Sequence, residues 1–254
     1  MFRRAIVRPP GRSFPRGLTA AGLGAPDVDL ALEQHARYCE ALERCGLDLT
    51  RLAPDERFPD STFVEDTAVV TPAGAILTRP GAESRRGEVP AVRDALARLV
   101  PLFGAIQAPG TLDGGDVCEV DGEYWIGLSE RTNREGARQL AELLANAGFA
   151  ATLLDLSATG MLHLKSGLAA IGRRLVMVYP LSTLVPLRGH EMTFVTPGEA
   201  YAANCVRVND HVLIASGHPR FAKALARASV SVIPLDVSEF RKMDGGLSCL
   251  SLRF

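Results

Sequence analysis

Five small clusters of polar side chains are spaced along the chain, and each lies just before or at the start of a short hairpin-like segment. They are Glu65-Asp66, Asp113 with Asp116, His163 with Lys165, Asn204, and Asp244 with Cys249. Cysteine-dependent enzymes use a thiol, an imidazole and carboxylates together. The thiolate attacks the substrate, and the imidazole transfers the protons that this attack requires. If the clusters converge, the sequence predicts a nucleophilic site built on Cys249 and His163. The other four cysteines lack such company and are interpreted as structural.

Other uses of the same residue types have less support in the spacing. Zinc sites favour close pairs such as C-x2-4-C or H-x3-5-H, and the sequence contains neither. The glycine-rich phosphate motifs G-x-x-x-x-G-K-[ST] and G-x-G-x-x-G do not occur in a strand–helix context. The many carboxylates favour a cationic ligand, and a guanidinium matches paired carboxylates best. The sequence therefore predicts a site without metal or organic cofactor.

The segments that would position these clusters form a repeat. Pairs of β-like runs joined by turn residues occur at 66–78, 116–128, 166–178 and 204–215. In the second pair, Asp121-Gly122 is a typical two-residue hairpin turn. Helical patterns separate the pairs at 28–48, 88–104, 133–149 and 218–230, and each is followed by a short apolar run. The first strand, 3–9, has no local partner and can pair with the last, 246–254.

This pattern contains about five copies of a ββαβ module with matching ends. Alternation of helices and strands favours the α/β class, and five modules favour a five-bladed, pseudo-symmetric α/β propeller. A doubly wound sheet is the alternative. In a ring of equivalent modules the polar clusters would meet at the mouth of the central channel. We therefore predict a single catalytic domain over residues 1–254.

Composition limits the class of protein. The chain has 254 residues, of which 47% are hydrophobic and 22% charged, as in ordinary globular proteins. Its 28 basic and 29 acidic residues give a net charge of −1, so no overall field attracts nucleic acid or a membrane surface. No apolar run approaches the roughly 20 residues of a membrane span, and the N-terminus lacks the apolar part of a secretory signal. The five cysteines are irregularly spaced and do not suggest a disulfide framework. We expect a cytoplasmic protein.

Six motifs then occur in order over essentially the whole chain. They are APDERFPDSTFVEDTAVV (53–70), LTRPGAESRRGE (77–88), APGTLDGGDV (108–117), LHLKSGL (162–168), YAANC (201–205) and RKMDGGLSCLSLRF (241–254). Together they closely resemble the dimethylarginine dimethylaminohydrolases, in their short bacterial form. These enzymes belong to the guanidino-group-modifying superfamily, whose fold is the five-bladed α/β propeller.

The resemblance implies roles in the chemistry for four positions. Cys249 corresponds to the nucleophile that attacks the guanidinium carbon and forms a covalent thiouronium intermediate. His163 corresponds to the general acid–base that protonates the departing amine and then activates water. Asp113 corresponds to an active-site carboxylate that is Glu in some bacterial relatives, so that the carboxylate here is one methylene shorter. Asp66 corresponds to the carboxylate that pairs with the guanidinium nitrogens.

The resemblance also implies a set of substrate-binding residues. Glu65 supports Asp66 from behind. Asp60, Arg85 and Arg131 correspond to groups that hold the amino-acid end of the substrate, with both arginines on its α-carboxylate. Leu18 corresponds to a lid position whose backbone contacts the substrate. Asp244, in the polar cluster of Cys249, completes the predicted set.

The implied activity is hydrolysis of Nω-methylated arginine, dimethyl or monomethyl, to L-citrulline and di- or monomethylamine. The predicted partner is thus a small-molecule substrate, with no nucleic acid and no membrane, and a homodimer is compatible with the sequence. The nearest alternative is arginine deiminase-type hydrolysis of unmethylated arginine or a related guanidino compound. Amidino transfer to an amine acceptor, and silent binding of a cationic amino acid, are further alternatives.

Overall fold

The computed structural model describes residues 1–186 and 189–254. Its strands are β1 (Arg4–Val7), β2 (Asp48–Arg51), β3 (Ala68–Thr71), β4 (Gly74–Leu77), β5 (Leu102–Ala105), β6 (Val117–Val120), β7 (Glu123–Leu128), β8 (Ala150–Asp155), β9 (Leu168–Ile171), β10 (Arg174–Val178), β11 (Glu191–Val195), β12 (Val206–Val208), β13 (His211–Ala215), β14 (Ser231–Leu235) and β15 (Leu252–Arg253). Its α-helices are α1 (Val28–Arg44), α2 (Val89–Leu96), α3 (Arg134–Asn146), α4 (Pro219–Arg227) and α5 (Ser238–Arg241). Among the residues so described, no helix is both long and apolar enough to cross a membrane.

All four predicted hairpins are present, and local turn chemistry explains why. Asp121 and Gly122 adopt positive φ, 50° and 84°, between β6 and β7, and Asn209 does so at 55° between β12 and β13. These are residues that tolerate the left-handed region, which a two-residue hairpin turn requires. In each case a later strand joins the hairpin in parallel, as β8 joins β7 and β14 joins β13. The strands of the predicted ββαβ module are therefore present in each case.

The chain divides into two compact units, Met1–Glu65 with Cys205–Phe254, and Asp66–Asn204. We call them the terminal unit and the central unit. The terminal unit contains the sheets β15-β1-β2 and β12-β13-β14, and the central unit contains β3-β4-β5, β6-β7-β8 and β11-β10-β9. The predicted pairing of the first and last strands is confirmed, because β1 lies antiparallel to β15. The single domain over residues 1–254 stays a prediction.

Each sheet formed by the described residues has three strands, and this rules out the doubly wound sheet. One local expectation was wrong. The helix predicted over 88–104 ends at Leu96, and Leu102–Ala105 forms β5 in parallel with β4. The apolar run before Gly104 suits either structure, and pairing with β4 decides in favour of the strand. Between β10 and β11, the described part of the connection contains a 3-10 helix, Tyr179–Thr183, where each of the other four modules has an α-helix.

Both units have cores that support functional segments. In the central unit, Ala137, Leu140 and Leu144 of α3 are buried against the sheet that contains β6 and β7. In the terminal unit, Phe14, Phe63 and Phe240 form a cluster with ring centroids 5.6 to 6.3 Å apart. A Cβ at Gly245 would lie 2.2 Å from the Phe63 ring, so only glycine allows the chain to lie directly on this cluster.

Candidate active site

In the central unit, Asp113 and His163 form a buried pair. Asp113 is completely buried, and its Oδ2 lies 3.0 Å from Nε2 of His163. Its other oxygen accepts the Gly81 N–H at 2.9 Å, and its own N–H donates to the Thr132 hydroxyl at 3.1 Å. The carboxylate is therefore fixed in position by the backbone on one side and the imidazole on the other. Such a carboxylate can orient an imidazole and stabilise its protonated form.

Asp116 holds the backbone that carries the histidine. Its Oδ1 accepts the Leu164 N–H at 2.9 Å, next to His163 in the chain. Its Oδ2 accepts hydroxyl hydrogens from Ser129 and Thr132, both at 2.7 Å. Asp116 thus acts as a structural brace, in line with its position beside two glycines in the sequence. Burial raises its pKa above the ordinary aspartate value, an effect that His163 and these hydrogen bonds only partly offset.

His163 is charged at neutral pH. Burial of the imidazole would lower its pKa, but the negative charge of Asp66 and the hydrogen bond to Asp113 more than compensate and raise the pKa to about 9. The side chain is almost inaccessible to solvent. The resting state therefore presents an imidazolium, which is the form a general acid needs.

Asp66 and Arg85 belong to a buried ionic network that includes Glu88. Asp66 Oδ2 lies 2.6 Å from Nη1 of Arg85, and Asp66 Oδ1 accepts the Gly115 N–H at 2.9 Å. Arg85 donates from Nε and Nη2 to the two oxygens of Glu88, at 3.1 and 2.9 Å, in a bidentate pair. Burial would raise the pKa of Asp66, but the charges of His163 and Arg85 outweigh it and lower the pKa. Asp66 is thus an ionised carboxylate, the form that pairs with a cation.

The closest backbone approach in this network is at Gly115. A Cβ there would lie 2.8 Å from His163 Nδ1 and 2.9 Å from Asp66 Oδ1, which is shorter than real Cβ contacts allow. Glycine at this position therefore lets the imidazole and the carboxylate pack against the same piece of backbone. Of the two adjacent glycines, Gly114 and Gly115, the second is therefore the one that this close approach requires.

Asp66, Asp113 and His163 could also bind a metal ion by composition, since each offers a ligand atom within 4.8 Å of the others. Their existing partners favour a different use. The Arg85 guanidinium already occupies one oxygen of Asp66, and its positive charge opposes a cation at the same place. Asp113 is engaged by Gly81 and His163. The absence of a metal from the working site stays a prediction.

In the terminal unit, Cys249 lies in a short 3-10 helix, Ser248–Leu250, and is partly exposed. Its N–H donates to the Gly246 carbonyl at 3.2 Å. The neighbouring Ser248 hydroxyl donates to Glu65 Oε2 at 2.8 Å, and Arg253 approaches the other Glu65 oxygen at 3.4 Å. Glu65 therefore braces the turn that presents the thiol. The four other cysteines are buried, as their structural interpretation requires.

The same unit contains three more of the predicted substrate-binding residues, Leu18, Asp60 and Asp244. Asp60 is buried and accepts the Leu18 N–H on both oxygens, at 3.0 and 3.2 Å. Asp244 accepts the Ala20 N–H at 2.6 Å. The Leu18 side chain is 43% exposed, although it is large and apolar. These residues form a second assembly, in which backbone amides meet carboxylates.

Arg131 contrasts with Arg85 in the central unit. Arg85 is 5% exposed and paired with two carboxylates. Arg131 is half-buried, and its N–H donates to the Ser129 hydroxyl at 3.0 Å. Among the described residues, no ion pair or hydrogen bond of its guanidinium is found. Arg131 is accordingly the better placed of the two predicted arginines to receive a carboxylate from outside.

The structure groups the predicted residues within each unit and adds others that the sequence did not single out. Asp66, Arg85, Asp113 and His163 form one network, whereas Leu18 with Asp60, and Glu65 with the turn of Cys249, form contacts in the other unit. Every one of their catalytic or substrate-binding roles stays a prediction. Residues that sequence reasoning missed are Glu88, Gly81 and Ser248. Only Glu88 had a usable signal, its spacing of three residues from Arg85.

Comparison with known proteins identifies the family. No protein-family model matches the chain. It is 44% identical over 256 positions to the N(G),N(G)-dimethylarginine dimethylaminohydrolase of Pseudomonas aeruginosa, covering 100% of both chains. It is 36% identical to the enzyme of the same name from Streptomyces coelicolor, covering 99% of this chain and 96% of the relative. A crystal structure of a cysteine-to-serine mutant of the P. aeruginosa enzyme, complexed with citrulline, superposes with a TM-score of 0.97 at 44% identity over all of both chains.

These likenesses extend over the full length of this chain at identities well above those at which only the fold is shared. They also confirm the predicted five-module α/β propeller class. The chain therefore belongs to the dimethylarginine dimethylaminohydrolase family.

Proposed function

We propose that the protein hydrolyses Nω-methylated L-arginine to L-citrulline and a methylamine through a covalent intermediate on Cys249. The observation that carries the proposal is the buried Asp113–His163 pair, whose imidazole holds a proton at neutral pH. That proton is what the departing amine requires. Support also comes from the relatives, which are named for this reaction at 44% and 36% identity.

In the first half of the reaction, the Cys249 thiol loses its proton to solvent, a loss that the positive charge of the bound guanidinium favours. The resulting thiolate attacks the guanidinium carbon and forms a C–S bond. His163 donates its proton to the methylated nitrogen, the C–N bond breaks, and dimethylamine or monomethylamine leaves. The positive charge of the remaining S-alkyl thiouronium is matched by nearby carboxylates, of which Asp66 is the ionised candidate. Splitting the substitution into two steps is the usual advantage of a covalent nucleophile.

In the second half, neutral His163 takes a proton from water as the water oxygen attacks the same carbon. The C–S bond then breaks, the sulfur leaves as thiolate, and citrulline is released. Asp113 is the proposed orienting group in both halves, since its Oδ2 lies 3.0 Å from Nε2 and can accept an N–H from a charged ring or from a neutral ring protonated at Nε2. One residue thereby serves as acid first and as base second.

The amino-acid end of the substrate would be held by charge. Arg131, whose guanidinium has no acidic partner among the described residues, is the proposed anchor for the α-carboxylate. Arg85, which is paired with Asp66, would contribute a second positive charge. Asp60 and the Leu18 backbone are the proposed partners of the α-amino group. A free amino acid and not a protein-bound arginine is the expected substrate class, because both ends of the molecule are recognised. Localisation in the cytoplasm belongs to the same proposal, and a homodimer is compatible with it.

The test is product analysis with dimethylarginine, monomethylarginine and arginine in parallel. The proposal expects citrulline with dimethylamine or monomethylamine from the first two, and much slower release of ammonia from arginine. Mass spectrometry of acid-quenched reactions should find the mass of an amidino adduct on the peptide that contains Cys249. Ammonia from arginine at the higher rate would instead make the protein an arginine deiminase. Transfer to an added amine would indicate an amidinotransferase, and no product at all would leave a binding protein.

A further inference from the structure

A stretch of the terminal unit between residues 17 and 25 is exposed and has no regular secondary structure. Leu18 and Leu23 are 43% and 50% exposed, which is unusual for leucines that serve only a core. Gly22 and Gly24 have φ of 64° and 82°, and a Cβ on either would meet nothing within 4 Å. We call residues 17–25 the lid segment. Its second half, around these two glycines, is thus surrounded by open space and can move without displacing its neighbours.

The first half of the lid segment is anchored by a few hydrogen bonds. The Leu18 N–H donates to Asp60, and the Thr19 hydroxyl donates to the Lys242 carbonyl at 2.8 Å. The Ala20 N–H donates to Asp244 Oδ2 at 2.6 Å. These contacts all precede Gly22, so the anchored part ends where the unrestrained glycines begin.

Asp244 and Lys242, which supply two of these contacts, lie in the same loop as the nucleophile. Asp244 adopts φ of 57°, in the left-handed region that Asp and Asn tolerate better than other non-glycine residues. Two residues later, the Gly246 carbonyl accepts the N–H of Cys249. The Asp244 side chain therefore ties the lid segment to the loop that presents the thiol.

We infer that Asp244 is a positioning residue: its carboxylate latches the Ala20 amide and so holds the lid segment in the arrangement that this structure shows, without touching the substrate itself. The inference rests on the proposed function and refines the substrate-binding role that the sequence analysis gave to Asp244. The carboxylate is already used by a backbone amide of its own chain. Its influence on the substrate passes through the position of Leu18 and its neighbours.

The strengths of the contacts suit a latch that opens. Asp60 is buried, so its bond to Leu18 is shielded from water. The Asp244 and Thr19 bonds are exposed, and water can replace them at little cost. A lid that is closed only part of the time lowers the apparent affinity by the closed fraction, so loss of the latch should appear in KM first. Turnover of the bound substrate should change less.

The residue offers two informative substitutions. Asp244→Asn keeps a side-chain oxygen for the Ala20 amide and tolerates the left-handed backbone, but it removes the charge. Asp244→Gly keeps the backbone conformation and removes the acceptor. A latch predicts that Asn is close to wild type and Gly is impaired. A direct electrostatic contact with a cationic substrate predicts that both variants are impaired alike. Asp48→Asn, on exposed β2, is the control for loss of one charge in the same unit.

Amide hydrogen exchange of the peptide that covers the lid segment, together with KM and kcat for dimethylarginine, decides between these outcomes. For Asp244→Gly we expect about fivefold or more faster exchange at residues 18–21 and a KM about five- to tenfold higher, with kcat within about twofold of wild type. Asp244→Asn and Asp48→Asn should stay near wild type in all three quantities. Unchanged exchange in Asp244→Gly, or equal rises in KM for Asn and Gly, would overturn the latch. The comparison of hydrogen exchange needs no turnover. A protein that failed to hydrolyse methylarginines would therefore refute the proposed function, and the exchange rates would still test the latch.

Discussion

The central and terminal units hold their functional side chains in different ways. In the central unit, Asp66, Arg85, Asp113 and His163 are buried, and each has a charged partner within hydrogen-bond distance. In the terminal unit, Cys249 is partly exposed, and two of the bonds that attach the lid segment, those of Thr19 and Ala20, can be reached by water. The proposed acid–base pair is thus preorganised, whereas the proposed nucleophile and the lid segment are at least partly exposed to solvent. Preorganised charge is effective because it needs no rearrangement during the reaction.

The comparison implies a rule for mutations. A change in the buried network should cost both activity and folding stability, because it leaves a buried charge without its partner. A change at the exposed nucleophile should cost activity alone. Each experiment below tests whether the two effects separate in this way, starting with the largest.

Replacing Cys249 with serine should abolish turnover and leave stability unchanged. A hydroxyl is a far weaker nucleophile than a thiolate, so we expect the rate to fall by more than about a hundredfold. The free energy of unfolding, measured in urea, should stay within about 0.5 kcal/mol of wild type because the side chain is partly exposed. Cys45→Ser is the matched control: Cys45 is buried in the same unit, so its replacement should lower stability and spare turnover. A Cys249→Ser variant that keeps more than a hundredth of the rate would contradict the assignment.

Replacing His163 and Arg131 should separate chemistry from binding within the central unit. His163→Ala should lower kcat by about 10²- to 10⁴-fold, the usual contribution of a general acid–base. It should also lower the free energy of unfolding, since Asp113 would lose its cation. Arg131→Ala should mainly raise KM, by about tenfold, with little effect on stability, because its guanidinium is not part of the buried network. Normal turnover in His163→Ala would move the acid–base role elsewhere, with Asp113 the first candidate.

The substitution Gly115→Ala should lower both folding stability and activity. Its Cβ would clash with His163 and Asp66, neither of which can move without breaking an ionic contact. We expect a loss of about 3 kcal/mol in the free energy of unfolding, at the upper end for overpacking, and a clear fall in kcat. Gly198→Ala is the control, because a Cβ there meets nothing within 4 Å. Equal stability of the two variants would show that the network around Gly115 is not rigid.

The parts of this arrangement that could be predicted from sequence are those with local signals. The hairpins follow from Asp121-Gly122 and Asn209-Asp210, because the tolerance of positive φ depends on the residue type itself. The N-terminus of α3 likewise follows from Asn133, because Asn is a favoured N-cap residue and its side chain accepts the Gly136 N–H. The end of α2 could not be predicted in this way. The run before Gly104 fits a helix equally well, and its pairing with β4 depends on distant residues.

The candidate site shows the same limit. The motifs indicated which residues to examine, but the choice of partners depends on three-dimensional placement. Arg85 was expected to contact a substrate carboxylate, and nothing in its motif showed that Asp66 and Glu88 already flank it. The spacing of three residues between Arg85 and Glu88 permits an ion pair, but it does not show that Glu88 is buried. It is buried only because the 3-10 helix Glu83–Glu88 places it on the same side as Arg85.

The smallest expected effect is the contribution of the His163 charge to the free energy of unfolding. It is also the effect most specific to the buried network. Its pKa is raised from an ordinary value of 6.5 to about 9 in the folded protein. A group whose pKa is higher in the folded state stabilises the fold fully below the unfolded value, and this contribution is lost as the pH rises through the folded value. The loss should therefore begin above about pH 6.5 and be nearly complete beyond pH 9. Between pH 7 and pH 9 this loss should amount to about 2 kcal/mol. The measurement is the difference in free energy of unfolding between wild type and His163→Gln, followed across this range, since subtraction removes groups that titrate in both proteins.

A difference that shrinks as the pH rises would show that the imidazolium is held by Asp66 and Asp113 in the resting protein. A difference that stays constant from pH 6 to pH 10 would mean that His163 is neutral throughout, and the proton for the departing amine would then have to come from another group.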